Sequence, residues 1–116
     1  SLGITTWLND EEKIDAFTAV SGSGPAYVFY FIEAMINAAE KIGLDKTVAT
    51  AFTLQTLAGS LALLQETGLS ANELRKKVTS PAGTTAAAIG ILEQQGFEQL
   101  IQQAIQAAHT RAQQLG

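Results

Sequence analysis

The sequence predicts an all-α fold, a bundle of about six helices, and three observations carry that prediction. Apolar residues recur at helical spacing along most of the chain, strand-like alternation is nearly absent, and Gly and Pro are sparse inside the periodic segments. A short helix is expected from about Asp10 to Thr18, capped by Asn9 or Asp10, with acidic residues in its first turn to complement the helix dipole. Ser21-Gly22-Ser23-Gly24 is expected to break it. Pro25 then suits the first position of a long helix, where its missing N–H is not needed. That helix runs to about Ile42 and stops at Gly43. A third, from about Asp45 to Thr67, stops at Gly68. Ser70 with Glu73 three residues later is a capping-box signature for a short fourth helix. Two more are expected from about Thr84 to Gln95 and from Phe97 to Leu115, parted by Gly96.

At 116 residues the chain is one domain, spanning 1–116, with no internal repeat or low-complexity linker. Hydrophobic residues make up 47% and charged residues 16%, a balance that excludes bulk disorder. Seven basic and eleven acidic residues leave a net charge of −4, and the one basic run is Arg75-Lys76-Lys77. Nucleic acid is therefore not an expected partner, because phosphate-backbone binding needs many clustered cations. There is no cysteine, which removes disulfides and thiolate metal sites and fits a cytoplasmic protein. With a single histidine, His109, no zinc cluster is expected. Thr47 to Gln65 carries no charge, but four threonines, two glutamines, a glycine and a serine make it read as a buried soluble helix rather than a membrane span. Ser1 to Leu8 has no cationic stretch or apolar core of the kind a signal peptide carries, and the chain is expected to be part of something longer.

The second helix is unusual. Glu33, Asn37, Glu40 and Lys41 form one narrow polar stripe, while Tyr27, Val28, Phe29, Tyr30, Phe31, Ile32, Met35 and Ile36 leave most of the circumference apolar. Such a helix must be buried on nearly every side, and few helices of a small domain can be surrounded by their own chain. A partner subunit or a further domain would complete the burial. Ala58, Gly59, Ser60 and Ala62 in the third helix are small enough for another helix to approach closely. In the last helix Phe97, Leu100, Ile101, Ala104, Ile105 and Ala108 form one face, with His109 at its edge as a solvated boundary residue.

Residues 79 to 85, Thr79-Ser80-Pro81-Ala82-Gly83-Thr84-Thr85, hold the strongest chemical signal. Proline and glycine punctuate the chain there, and Thr84 and Thr85 would place free backbone N–H groups and hydroxyls in the first turn of a new helix. Convergent unpaired donors and the helix dipole suit a carboxylate or a phosphate. The alternative is a plain loop followed by a threonine cap, with Ser80 or Thr84 doing the capping. A second stretch is deceptive. Thr18-Ala19-Val20 leading into Gly22-Ser23-Gly24 imitates the start of a dinucleotide-binding fold, but Tyr27 stands where that fingerprint needs a small residue, and no second strand follows.

Ala19-Val20-Ser21-Gly22-Ser23-Gly24-Pro25-Ala26-Tyr27, the apolar helix after it, and Ser80-Pro81-Ala82-Gly83-Thr84-Thr85 together resemble the pyrroline-5-carboxylate reductase family. Leu92-Glu93-Gln94-Gln95-Gly96-Phe97 continues the likeness, and Trp7-Leu8-Asn9-Asp10-Glu11-Glu12-Lys13-Ile14-Asp15-Ala16 looks like the segment leading into that family's second domain. One departure is Ala82, where the family usually has glycine, a change that matters if the position requires positive φ.

The resemblance implies a two-domain oxidoreductase of proline biosynthesis. Its amino-terminal dinucleotide-binding domain, which would hold NADPH or NADH, is not in this chain, so cofactor-binding residues are unassigned. This chain would be the helical dimerisation and substrate-binding domain, intertwined with a second copy in a homodimer, with higher assembly left open. The resemblance also implies the site. The pyrroline-5-carboxylate carboxylate would lie on N–H groups around Gly83, Thr84 and Thr85, beside Ser80, and the Thr85 hydroxyl would act as the catalytic contact to the ring nitrogen. No metal and no membrane enter this reading. A β-hydroxyacid dehydrogenase would place a lysine soon after Gly24, but the next one is Lys41. The remaining alternative is a stand-alone dimerisation module without activity.

Overall fold

The computed structural model describes residues 10–116, and among them six α-helices and one π-helical turn follow one another with no strand. The Trp7-Leu8-Asn9 stretch and the Asn9 cap lie outside the described residues. The first helix, α1 (Glu11–Phe17), is capped by Asp10, whose carboxylate accepts the Glu12 N–H at 3.0 Å. The expected break at Ser21–Gly24 is narrowed to a bend at Ser23. The chain continues as a π-helical turn, Thr18–Gly22, in which the Ser23 N–H reaches the Thr18 carbonyl at 2.8 Å. Side-chain donors support this wider winding. The Thr18 hydroxyl donates to the Ile14 carbonyl at 2.9 Å, and the Tyr27 hydroxyl, eight residues on, donates to the Ala19 carbonyl at 2.7 Å.

Next comes α2 (Gly24–Lys41), which starts one residue before Pro25; the proline still lies in the first turn, where its missing N–H leaves no bond unmade. It ends at Gly43, whose φ of +109° suits only glycine. The long α3 (Lys46–Thr67) is capped by Asp45, which accepts the Val48 N–H at 2.9 Å, and is closed by Gly68 in the left-handed conformation. The capping box is present on α4 (Ala71–Lys77): Glu73 N–H donates to Ser70 Oγ at 3.1 Å, and Ser70 N–H donates to Glu73 Oε1 at 3.2 Å. After the turn come α5 (Thr84–Gln94) and, past Gly96, α6 (Phe97–Leu115).

The chain divides into two compact units. In the first, which takes the described residues through Phe29 and then Gln95–Gly116, α6 packs against α1 and the π-helical turn, with Ala19 buried where they meet. A residue no larger than alanine lets the helix approach that wide turn closely. In the second, Tyr30–Gln94, the buried residues are Ala49 and Thr53, one turn apart on α3.

Beyond these three residues the described chain has little core, and none of its large side chains is fully buried. Phe29 is 68% exposed, Tyr30 74% and Phe52 63%. The expected burial of α3 is therefore not supplied by its own chain: Leu54, Leu61 and Leu63 are exposed as well, and by length and composition alone α3 would suffice to cross a membrane.

Candidate functional site

The turn between α4 and α5 is built from its two ends. At the α4 end, Arg75, Lys76 and Lys77 fill the last turn, where cations complement the carbonyl end of the helix dipole. The Val78 N–H reaches the Leu74 carbonyl at 3.1 Å, the Thr79 N–H reaches Lys76 at 3.3 Å, and the Thr79 hydroxyl folds back onto the Arg75 carbonyl. Four residues then reverse the chain. The Gly83 N–H donates to the Ser80 carbonyl at 3.2 Å, Pro81 holds the second position, and Ala82 holds the third with φ +62°. Proline second and positive φ third define a type II turn. The requirement for positive φ at Ala82 is thus met in the structure, by a residue with a Cβ.

Gly83 is needed for a different reason. A Cβ placed there would lie 2.8 Å from Ser80 Oγ and 3.4 Å from the Ser80 carbonyl oxygen. The Ser80 hydroxyl therefore occupies the space that a side chain at 83 would need, and alanine there would force Ser80 into another rotamer.

The first bond running into α5 from this turn is Ala87 N–H to the Gly83 carbonyl at 3.1 Å. Hence the N–H groups of Thr84, Thr85 and Ala86 precede the ladder and have no intrahelical acceptor. There is no acidic residue in this first turn to compete for them. Thr85 and Ala86 are half-buried, whereas Ser80 and Thr84 are exposed. Among the described residues the hydroxyls of Ser80, Thr84 and Thr85 make no hydrogen bond, so the threonine-cap alternative is not realised here. Three converging N–H groups and the Thr85 hydroxyl form a donor array that can hold an anion and one further acceptor.

The array differs from expectation in one respect. The Gly83 N–H is consumed by the turn, and Ala86, which sequence reasoning did not single out, supplies the third donor. The other candidate stretch falls away. Ser21-Gly22-Ser23-Gly24 spans the end of the π-helical turn and the start of α2, without a strand before it, and Tyr27 is engaged with Ala19. That stretch therefore does not form a dinucleotide-phosphate turn. Among the described residues there is also no group of three or more His, Asp or Glu side chains that could hold a metal. His109 is half-buried rather than solvated: its Nε2 is shielded from solvent and unpaired among the described residues, beside a groove of about 270 Å³ lined by Ala16, Ala19, Val20, Ile101 and Ile105.

Comparison with known proteins covers nearly the whole chain. The family described as pyrroline-5-carboxylate reductase dimerisation matches residues 11–115. A pyrroline-5-carboxylate reductase of Pseudomonas aeruginosa is 49% identical over 115 residues, covering 99% of this chain and 42% of the relative. Pyrroline-5-carboxylate reductase 2 of Bacillus subtilis is 47% identical over 105 residues, covering 90% of this chain and 38% of the relative. Among solved structures, the pyrroline-5-carboxylate reductase of Coxiella burnetii superposes with a TM-score of 0.88 at 44% identity, over 93% of this chain and 40% of that one. The pyrroline carboxylate reductase of Plasmodium falciparum, solved with NADP bound, gives 0.89 at 34% identity, over 92% of this chain and 41% of that one. The chain thus spans about two fifths of the length of the relatives it matches.

Proposed function

The chain belongs to the pyrroline-5-carboxylate reductase dimerisation family, and from that premise we propose that it is the dimer-forming, substrate-holding domain of a cytoplasmic enzyme that reduces 1-pyrroline-5-carboxylate to L-proline. A dinucleotide-binding domain, outside this chain, completes that enzyme. The observation that carries the reading is the donor array at the start of α5, in a family whose named substrate carries a carboxylate beside an imine.

In this reading the N–H groups of Thr84, Thr85 and Ala86 hold the substrate carboxylate, and the Ser80 hydroxyl lies at its edge. The Thr85 hydroxyl donates to the ring nitrogen. Gly83 lets Ser80 pack under the turn and so fixes where the array points. When bound, NADPH or NADH, held mainly by the other domain, would supply the hydride that the imine carbon accepts. The C=N π electrons would then settle on nitrogen, which would take one proton from solvent to give the secondary amine of proline. This chain's share of the chemistry is placement and one strengthening hydrogen bond, which explains why no acid–base pair is needed in it.

A second copy of the chain covers the exposed faces of α2 and α3 in the proposed homodimer. The experiment is an assay of the full-length protein for pyrroline-5-carboxylate-dependent oxidation of NADPH and NADH. Turnover is expected there, and none from residues 1–116 alone. A full-length protein that oxidises neither cofactor with this substrate refutes the reading.

A further inference from the structure

Ala82 is in a conformation that its side chain disfavours: at φ +62° it is the sole non-glycine residue with positive φ among the described residues. Type II turns take glycine at this position by preference, whereas a type I turn accepts alanine and keeps the same bond between its ends. The two differ by a rotation of the peptide between the second and third residues, here Pro81–Ala82. That rotation exchanges the sides on which the Pro81 carbonyl and the Ala82 N–H lie. For a residue with a Cβ the left-handed setting is disfavoured by about five- to thirty-fold in population. Strained settings persist where the surroundings enforce them, and they cluster at ligand clamps. Here the surroundings are weak. Pro81 and Ala82 are both exposed, and the bond that closes the turn, Gly83 N–H to the Ser80 carbonyl, is one that both settings keep. Beside them Ser80 Oγ occupies the space that a Cβ at Gly83 would need.

We propose that Ala82 is a positioning residue: the Pro81–Ala82 peptide has two settings, and a carboxylate bound at the start of α5 selects the left-handed one. The proposal rests on the reading of this turn as the pyrroline-5-carboxylate site. The flip swaps a carbonyl for an N–H within two residues of the donor array, so the field at the site differs between the settings and an anion favours one of them. Substrate then binds only the fraction of molecules whose turn is set correctly, and its apparent affinity is reduced by that fraction.

The test is steady-state kinetics of the full-length reductase with Ala82→Gly and Ala82→Asn, two residues that adopt positive φ readily. The KM for pyrroline-5-carboxylate should fall about three- to ten-fold in Ala82→Gly and less in Ala82→Asn, with little movement in kcat or in the KM for NADPH. Ala82→Val, in which a branched side chain opposes positive φ more strongly, should raise the substrate KM; if it fails to fold, the other two variants decide. A higher melting temperature in Ala82→Gly with an unaltered substrate KM overturns the proposal, because the strain is then structural only. A wild-type protein that does not reduce pyrroline-5-carboxylate removes the functional reading and this proposal together. Normal wild-type turnover with indifferent variants removes only the two-position peptide.

Discussion

At the residue scale the proposed function turns on the Thr85 hydroxyl, half-buried and free of any internal partner. In the proposed reaction its bond to the substrate nitrogen would strengthen as that atom gains electron density during hydride transfer. Hydrogen bonds to charged groups contribute about 1.5–3 kcal/mol, which corresponds to roughly 10- to 100-fold in rate. Thr85→Ala in the full-length enzyme should therefore lower kcat/KM by about that factor while the dimer stays intact, and Thr85→Ser should retain most activity. Near-normal kinetics in the alanine variant would leave this threonine a plain helix-start residue. Ser80→Ala and Thr84→Ala should change stability by less than about 0.5 kcal/mol, since neither hydroxyl caps α5. The position of this site was legible in the sequence because Pro81 and Gly83 mark the turn and the threonines follow it. Which N–H groups stay free was not legible. That depends on the turn closing through Gly83, so that Ala86 rather than Gly83 completes the array.

At the scale of elements, the helices whose ends are set by neighbouring residues were legible. Asp45, Ser70 with Glu73, Gly43, Gly68 and Gly96 each act within a few positions of their own place in the chain, and each stops or starts a helix as expected. The π-helical turn was not legible, because its support comes from farther away. Tyr27 reaches back eight residues to the Ala19 carbonyl, and α6, at the other end of the chain, packs on the turn. Tyr27→Phe removes one hydroxyl and leaves the ring. It should lower the stability of the assembled protein by about 1 kcal/mol, read as a fall in melting temperature. A larger amide-exchange increase over residues 18–23 than elsewhere would locate the loss in the π-helical turn. Uniform exchange through the chain would show that the tyrosine does not act locally.

At the scale of the molecule, composition indicated a globular protein and the apolar circumference of α2 marked a surface that needs covering, but which chain covers it was not legible in the sequence. The exposed faces carry Phe29, Tyr30, Phe31, Phe52 and Leu61. Sedimentation at micromolar concentration should therefore show a dimer as the main species, and Phe31→Asp should give aggregated or unfolded chains; a well-folded monomer in either case would count against the intertwined assembly. That Ala19, Ala49 and Thr53 alone are fully buried among the described residues also has a kinetic consequence. A lone chain has too little to gain by folding, so acquiring structure and meeting a second chain become one event. Refolding should then be second order, its half-time shortening as chain concentration rises. A newly made copy would remain incompletely folded, and open to proteolysis, for as long as it waits to encounter another.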